Sequence, residues 1–82
     1  MLVPMKVDYG VRTLVYLAQQ DVTQFTSTSD IGTAQHIPEP YLLRICSELQ
    51  KSGLIESRRG PQGGHNLAKS ADLISVSDVV DS

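Results

Sequence analysis

The sequence predicts a mainly α-helical domain with a small β-hairpin, a winged helix-turn-helix, and three observations lead to it. An amphipathic stretch over residues 40–52 feeds directly into a hairpin pattern over 54–68. A shorter helical stretch, 28–36, ends a turn's length before it, the spacing of a helix-turn-helix. Two arginines, Arg58 and Arg59, stand where the first strand enters the hairpin turn. Winged helices set one helix in the DNA major groove and reach a neighbouring groove or phosphates with such a hairpin. The expected partner is therefore double-stranded DNA.

Taken in order, residues 5–20 read as the first helix. Val7, Val11, Leu14, Val15 and Ala18 recur at three- and four-residue spacing, and Tyr9, Tyr16 and Leu17 widen the stripe. Gly10 inside it weakens the helix by about 1 kcal/mol relative to alanine, a cost that close approach of another helix would explain. Residues 22–26 form a connector free to pair briefly with the hairpin. Ser27 is the N-cap of the second helix with Asp30 reaching back, and Ile31, Ala34 and Ile37 share a face. That helix closes at Gln35-His36.

Proline at 40 disfavours a helical residue before it, so Glu39 is expected at the N-cap of the third helix and Pro40 at its first position. Leu42, Ile45, Cys46 and Leu49 form its buried face. Tyr41, Arg44, Ser47, Glu48 and Lys51 point outward, and Gly53 follows as the residue beyond the cap. Residues 54–58 are extended, 60–64 are a Gly-Pro-rich turn and 65–68 extend again. Residues 69–73 read as a loop. Ser75 opens a last helix over about 76–82, with Asp78 in its first turn and Val76, Val79 and Val80 as its apolar side.

Eighty-two residues amount to one small domain, 1–82. A hydrophobic fraction of 40% and a charged fraction of 20% suit a soluble globular chain. No apolar run approaches a membrane-spanning length and no signal-peptide pattern opens the chain. The single cysteine, Cys46, cannot form an internal disulfide. Cytoplasm is the default expectation, with no membrane contact. The net charge of −2 hides a sharp division: residues 1–40 carry −2, residues 41–69 carry +3 and residues 70–82 carry −3. Positive charge confined to the third helix and hairpin favours one oriented docking face for a polyanion.

Arginine suits phosphates and narrow minor grooves because its planar fork donates several hydrogen bonds and stays charged. Arg58 and Arg59 therefore read as DNA contacts, against the alternative of a solvated charge pair. Tyr41 and Arg44 stand at the start of the third helix, where helix-turn-helix proteins meet base edges and phosphates. Their alternative is a surface tyrosine packed over Pro38 and a solvated arginine. Leu43 either touches a thymine methyl or is a spare apolar residue. Gly60, Gly63 and Gly64 precede a strand rather than a helix, so they supply turn conformations and not a phosphate-cradling loop. Cys46, His36 and His65 match no zinc spacing, and Cys46 falls on the buried stripe. No nucleophile–base set or carboxylate pair is discernible, so no enzyme is expected.

Three stretches resemble the IscR/NsrR family of bacterial winged-helix transcription regulators. They are Asp8-Tyr-Gly-Val-Arg-Thr-Leu-Val-Tyr-Leu-Ala18, Tyr41-Leu-Leu-Arg-Ile45 and Gly53-Leu-Ile-Glu-Ser-Arg-Arg-Gly-Pro-Gln-Gly-Gly64. Ile74-Ser-Val-Ser-Asp-Val-Val80 is similar to the segment that follows the wing in that family. His36 replaces a usual glycine, and Pro40 replaces a commonly polar position. The resemblance implies a homodimeric repressor on a partly palindromic operator, with Pro40, Tyr41, Leu43 and Arg44 at the major groove and Arg59 in the minor groove. The full expected contact set is Pro40, Tyr41, Leu43, Arg44, Ser47, Lys51, Arg58, Arg59 and Gly60. Many members sense nitric oxide, oxidants or iron–sulfur status through a cluster on three cysteines beyond the winged domain. Those cysteines and the long dimerisation helix do not occur in this sequence. Either the chain is a piece of a longer protein, or it is a shortened relative without a cluster. Asp8 matches an aspartate that completes the cluster in nitric-oxide sensors; its other role is to cap or solvate the helix. No cofactor is expected on this chain, and an iron–sulfur cluster would need a cysteine-bearing C-terminal segment. The rival function is a winged-helix protein-interaction module that does not bind DNA.

Overall fold

The computed structural model describes residues 5–21 and 23–80. Its elements run α1 (Met5–Ala18), α2 (Thr28–Gln35), α3 (Glu39–Lys51), β1 (Ile55–Arg58), β2 (Gly64–Leu67), a 3₁₀ turn (Ala71–Leu73) and α4 (Val76–Val80). Helices α1, α2 and α3 enclose a core of Leu14, Leu17, Ile31, Ile37, Leu42, Ile45, Cys46 and Leu49. Leu54 and Ile55 extend it under the hairpin, and Val79 closes it from α4. The fold class is the expected one, a winged helix-turn-helix.

Helix α1 buries a different stripe from the one its valines suggest. Gly10, Thr13, Leu14 and Leu17 face inward, whereas Val15 is 50% exposed and Ala18 is also exposed. Two overlapping i, i+3, i+4 patterns exist on this helix, and the neighbours decide which one is covered. A Cβ on Gly10 would stand 2.8 Å from Val79 Cγ1, so α4 packs where only a glycine admits it. Thr13 tolerates full burial because its hydroxyl donates to the Tyr9 carbonyl at 2.8 Å.

Helix α2 starts at Ser27, whose Oγ accepts from the Asp30 N–H at 3.1 Å. It ends at His36, in the left-handed conformation (φ 55°), and the Ile37 N–H returns to the Gly32 carbonyl. Ala34, expected on its inner face, is exposed. Helix α3 begins one residue earlier than expected: Pro38 is the N-cap and Glu39 is already helical. The first helical bond runs from the Leu42 N–H to the Pro38 carbonyl, so Pro40 falls where no donor is needed and its missing N–H costs nothing. At the other end Leu54 N–H bonds to Leu49 O and Gly53 N–H to Gln50 O, a Schellman closure with Gly53 at φ 77°. That closure turns the chain straight into β1.

The strands pair antiparallel with Ile55 opposite Leu67 and Arg58 opposite Gly64. The connector does pair with the hairpin. Thr26 and His65 exchange two backbone bonds of 2.9 and 2.8 Å, which adds a one-residue third strand. Residues 71–73, expected as loop, form the 3₁₀ turn, tied by the Leu73 N–H to the Ser70 carbonyl. Ser75 and Asp78 cap α4 reciprocally, each side chain accepting from the other's N–H. Only Val79 of its valines is buried; Val76 and Val80 are 61% and 54% exposed. The expected extension of this helix over 81–82 lies outside the described residues.

Candidate nucleic-acid interface

Burial of Leu42, Ile45, Cys46 and Leu49 turns the opposite flank of α3 to solvent. Tyr41 and Leu43 are each 54% exposed, and Pro40, Arg44, Ser47, Gln50 and Lys51 are exposed as well. At about 100° per residue these divide into rows around the helix. Pro40, Leu43, Ser47 and Gln50 form one row, Arg44 and Lys51 the next, and Tyr41 lies beside Glu48 at the far border.

The wing adjoins the first of these rows. Gln50 lines a cleft together with Thr28 of α2 and Ser57, Arg58, Arg59 and His65 of the hairpin. The opposite border meets α1: Tyr41 and Arg44 share a groove with Lys6, Tyr9 and Glu48. There Lys6 Nζ lies 3.7 Å from Glu48 Oε2. The structure thus brings Gln50, absent from the expected contact set, closer to the wing than Tyr41. A signal for it did exist, since Gln50 continues the Leu43 and Ser47 row one turn further along.

The wing is short and tightly turned. Gly63 N–H donates to the Gly60 carbonyl at 2.9 Å, and Gly60 has φ 105°. A Cβ on Gly63 would collide with the Arg58 carbonyl, and one on Gly64 with the carbonyl of Thr26. The two arginines do not share an environment. Arg58 Cζ sits 4.6 Å from the centre of the Phe25 ring, a cation–π contact. Arg59 is exposed beside Gly60 at the tip.

His65 ties the wing to the helix-turn-helix. Its Nε2 is hydrogen-bonded to Thr28 Oγ1 and its Nδ1 to Ser57 Oγ, both at 2.7 Å. Burial pushes the pKa of this imidazole below its ordinary value. A neutral ring, donating at one nitrogen and accepting at the other, is satisfied on both sides because each hydroxyl can play either part.

Two cations elsewhere, Lys6 and Arg12, are engaged. Arg12 makes two bonds to the Asp8 carboxylate, at 2.7 and 3.2 Å, donates to the Gln35 carbonyl at 3.0 Å and lies over the Tyr9 ring. The Arg12 guanidinium holds the Asp8 carboxyl below the usual carboxylate range. Among the described residues, Arg44, Lys51, Arg58, Arg59 and Lys69 make no ion pair.

The described residues do not fit a metal cluster. No group of three His, Cys, Asp or Glu side chains among them converges on one point. Asp8 is committed to Arg12, and Cys46 is buried with its thiol pushed up to about 11, far from the thiolate a cluster needs. Nor, among these residues, is any helix long and apolar enough to cross a membrane.

A family model described as "Rrf2: Iron-dependent Transcriptional regulator" matches residues 3–82. The fold is also similar to that of T. potens IscR, with TM-score 0.90 and 37% identity over 99% of this chain and 59% of that one. CymR (YrzC), the global cysteine regulator of B. subtilis, matches with TM-score 0.89 and 30% identity, over 98% of this chain and 62% of that one. The oxidised form of Staphylococcus aureus CymR gives TM-score 0.86 and 30% identity, over 98% and 64%. The chain therefore spans less than two thirds of the length of these regulators.

Proposed function

The chain belongs to the Rrf2 family of transcriptional regulators, and from that premise we propose that it is a regulator's DNA-binding domain, contacting duplex DNA through α3 and the wing. In this reading Pro40, Leu43, Ser47 and Gln50 face base edges in the major groove. Arg44 and Lys51 neutralise phosphates along the next row, and Tyr41 reaches the backbone at the α1 border. Arg59, with Gly60 opening the tip, enters the adjacent minor groove, and Arg58 supports it from the stem.

One observation carries this reading. Arg44, Lys51 and Arg59, without ion pairs among the described residues, stand on α3 and the wing beside it, while Lys6 and Arg12 are paired with carboxylates and Lys69, also without an ion pair, follows β2. Net acidity elsewhere repels DNA from other faces and so favours this one orientation.

The whole protein is proposed to act as a dimer on a partly palindromic operator and to repress by occupying it. Support comes from a groove between α1 and α4, where Val11, Val15, Ala18 and Val76 leave apolar surface open to a partner element. A cluster-based response to iron, oxidants or nitric oxide would need thiolate ligands from outside residues 1–82. The rival reading, a protein-interaction module, draws on the net charge of −2 and on the exposure of Leu43.

Selection of duplexes from a random pool, followed by titration against salt, tests the proposal. DNA binding requires enrichment of a motif and a log K that falls with log salt by about 0.9 per phosphate neutralised. Absence of enrichment at low salt, with a protein partner held at high salt, would favour the rival.

A further inference from the structure

The wing's two arginines stand in different surroundings, and the difference traces to a residue outside the wing. Phe25 precedes the connector residue Thr26, which pairs with β2 on the edge away from β1. Arg58 belongs to β1, yet its guanidinium lies 4.6 Å from the Phe25 ring centre. The contact therefore reaches across β2. The residue of β2 opposite Arg58 is Gly64, which has no side chain to stand between them. Phe25 is only half-buried and is not one of the core residues, so its ring is not accounted for by the core it would otherwise fill.

We infer that Phe25 is a positioning residue for DNA binding. Its ring holds Arg58 across the hairpin and thereby sets the direction in which Arg59 leaves the stem. Four-residue strands closed by a glycine-rich turn are marginal by themselves. Thr26 and Thr28 hold the pair at His65, and the Arg58–Gly64 end beyond them, next to the turn, is the part left free to twist. A flat cationic side chain pinned over an aromatic face on the third chain segment stops that twist before DNA arrives. Ordering the wing in advance removes a cost that binding would otherwise have to meet. Phe25 then acts through Arg58 without touching DNA, and the inference rests on the DNA-binding reading above.

A double-mutant cycle tests it. Duplex bound by the unchanged protein is first selected from a random pool. Its Kd is then measured for Phe25→Leu, Arg58→Ala, the double variant and Phe25→Tyr, with thermal melts of each. Phe25→Leu is expected to weaken binding about two- to fivefold per wing, the size of an exposed cation–π contact. The same change in the Arg58→Ala background should have no further effect, and Phe25→Tyr, which keeps the ring, should bind normally. Equal losses from Phe25→Leu in both backgrounds, or none in either, would overturn the positioning role and leave DNA binding standing. Failure of the unchanged protein to enrich any duplex would overturn the DNA reading and this inference with it. A Phe25→Leu protein that fails to fold leaves the decision to Phe25→Tyr and Arg58→Lys: loss of binding by the ring-retaining variant, or none by either, would overturn the role.

Discussion

Thr28, in the first turn of α2, and His65, in the middle of β2, meet side chain to side chain at 2.7 Å across 37 positions of sequence. With Ser57 on the other ring nitrogen, this is the side-chain joint between helix-turn-helix and wing. It stands beside the two backbone bonds between Thr26 and His65. The joint also has a pH signature. Burial lowers the His65 pKa in the folded chain below its ordinary value of 6.5. Between the two values the unfolded state binds more protons, so this contribution to stability is complete above about pH 6.5 and declines as pH falls through the folded pKa. The urea midpoint should drop on acidification across this range, and His65→Gln should remove that component. A His65 resonance titrating at or above its ordinary value would contradict it.

Gly10→Ala pits helix propensity against packing. Alanine gains about 1 kcal/mol in a helix interior, but the added carbon would stand 2.8 Å from Val79 Cγ1. Valine is stiff at χ1 and cannot swing its methyl aside freely, so α4 must shift, and overpacking of this kind costs about 1–3 kcal/mol. A net loss of about 1 kcal/mol is expected in chemical denaturation. In a Val79→Ala background the sign should reverse, because the clashing methyl is gone.

Arg59→Ala should weaken DNA binding and flatten the dependence of log K on log salt by roughly one unit per wing. Gln50→Glu places a carboxylate in the cleft between α3 and wing and should weaken binding to every duplex tested. Fluorescence anisotropy at several salt concentrations reads both. An unchanged slope and affinity in Arg59→Ala would remove the wing tip from the interface.

Cys46 is 2% exposed and its thiol is pushed up to about 11 by desolvation. At pH 8 it should resist thiol reagents in the native protein and react at once when the chain is unfolded. Native-state labelling at the rate of a free thiol would mean that α3 does not hold its buried face closed.

Much of the chain was legible because the signals are local. The stripe of α3, the Ser27 cap, the Gly53 exit and the Gly-Pro turn of the wing each depend on neighbours within a few positions. Pro40 points to a start of α3 one residue later than Glu39, where the helix begins, since a proline in the first turn lacks only a donor that has no helical acceptor. The choice between two stripes on α1 was not legible: Val15 and Ala18 obey the helical period as well as Gly10, Thr13 and Leu17 do.

The linear order of residues determined which segments become helices, where the hairpin turns and where positive charge gathers, because periodicity, capping and turn chemistry act over a few bonds. Tertiary structure alone decided which face of α1 is covered, that Phe25 takes Arg58 across a strand, that His65 clasps Thr28, and that Gln50 rather than Tyr41 borders the wing. Those outcomes depend on segments meeting through space, and no local rule carries the distance between them.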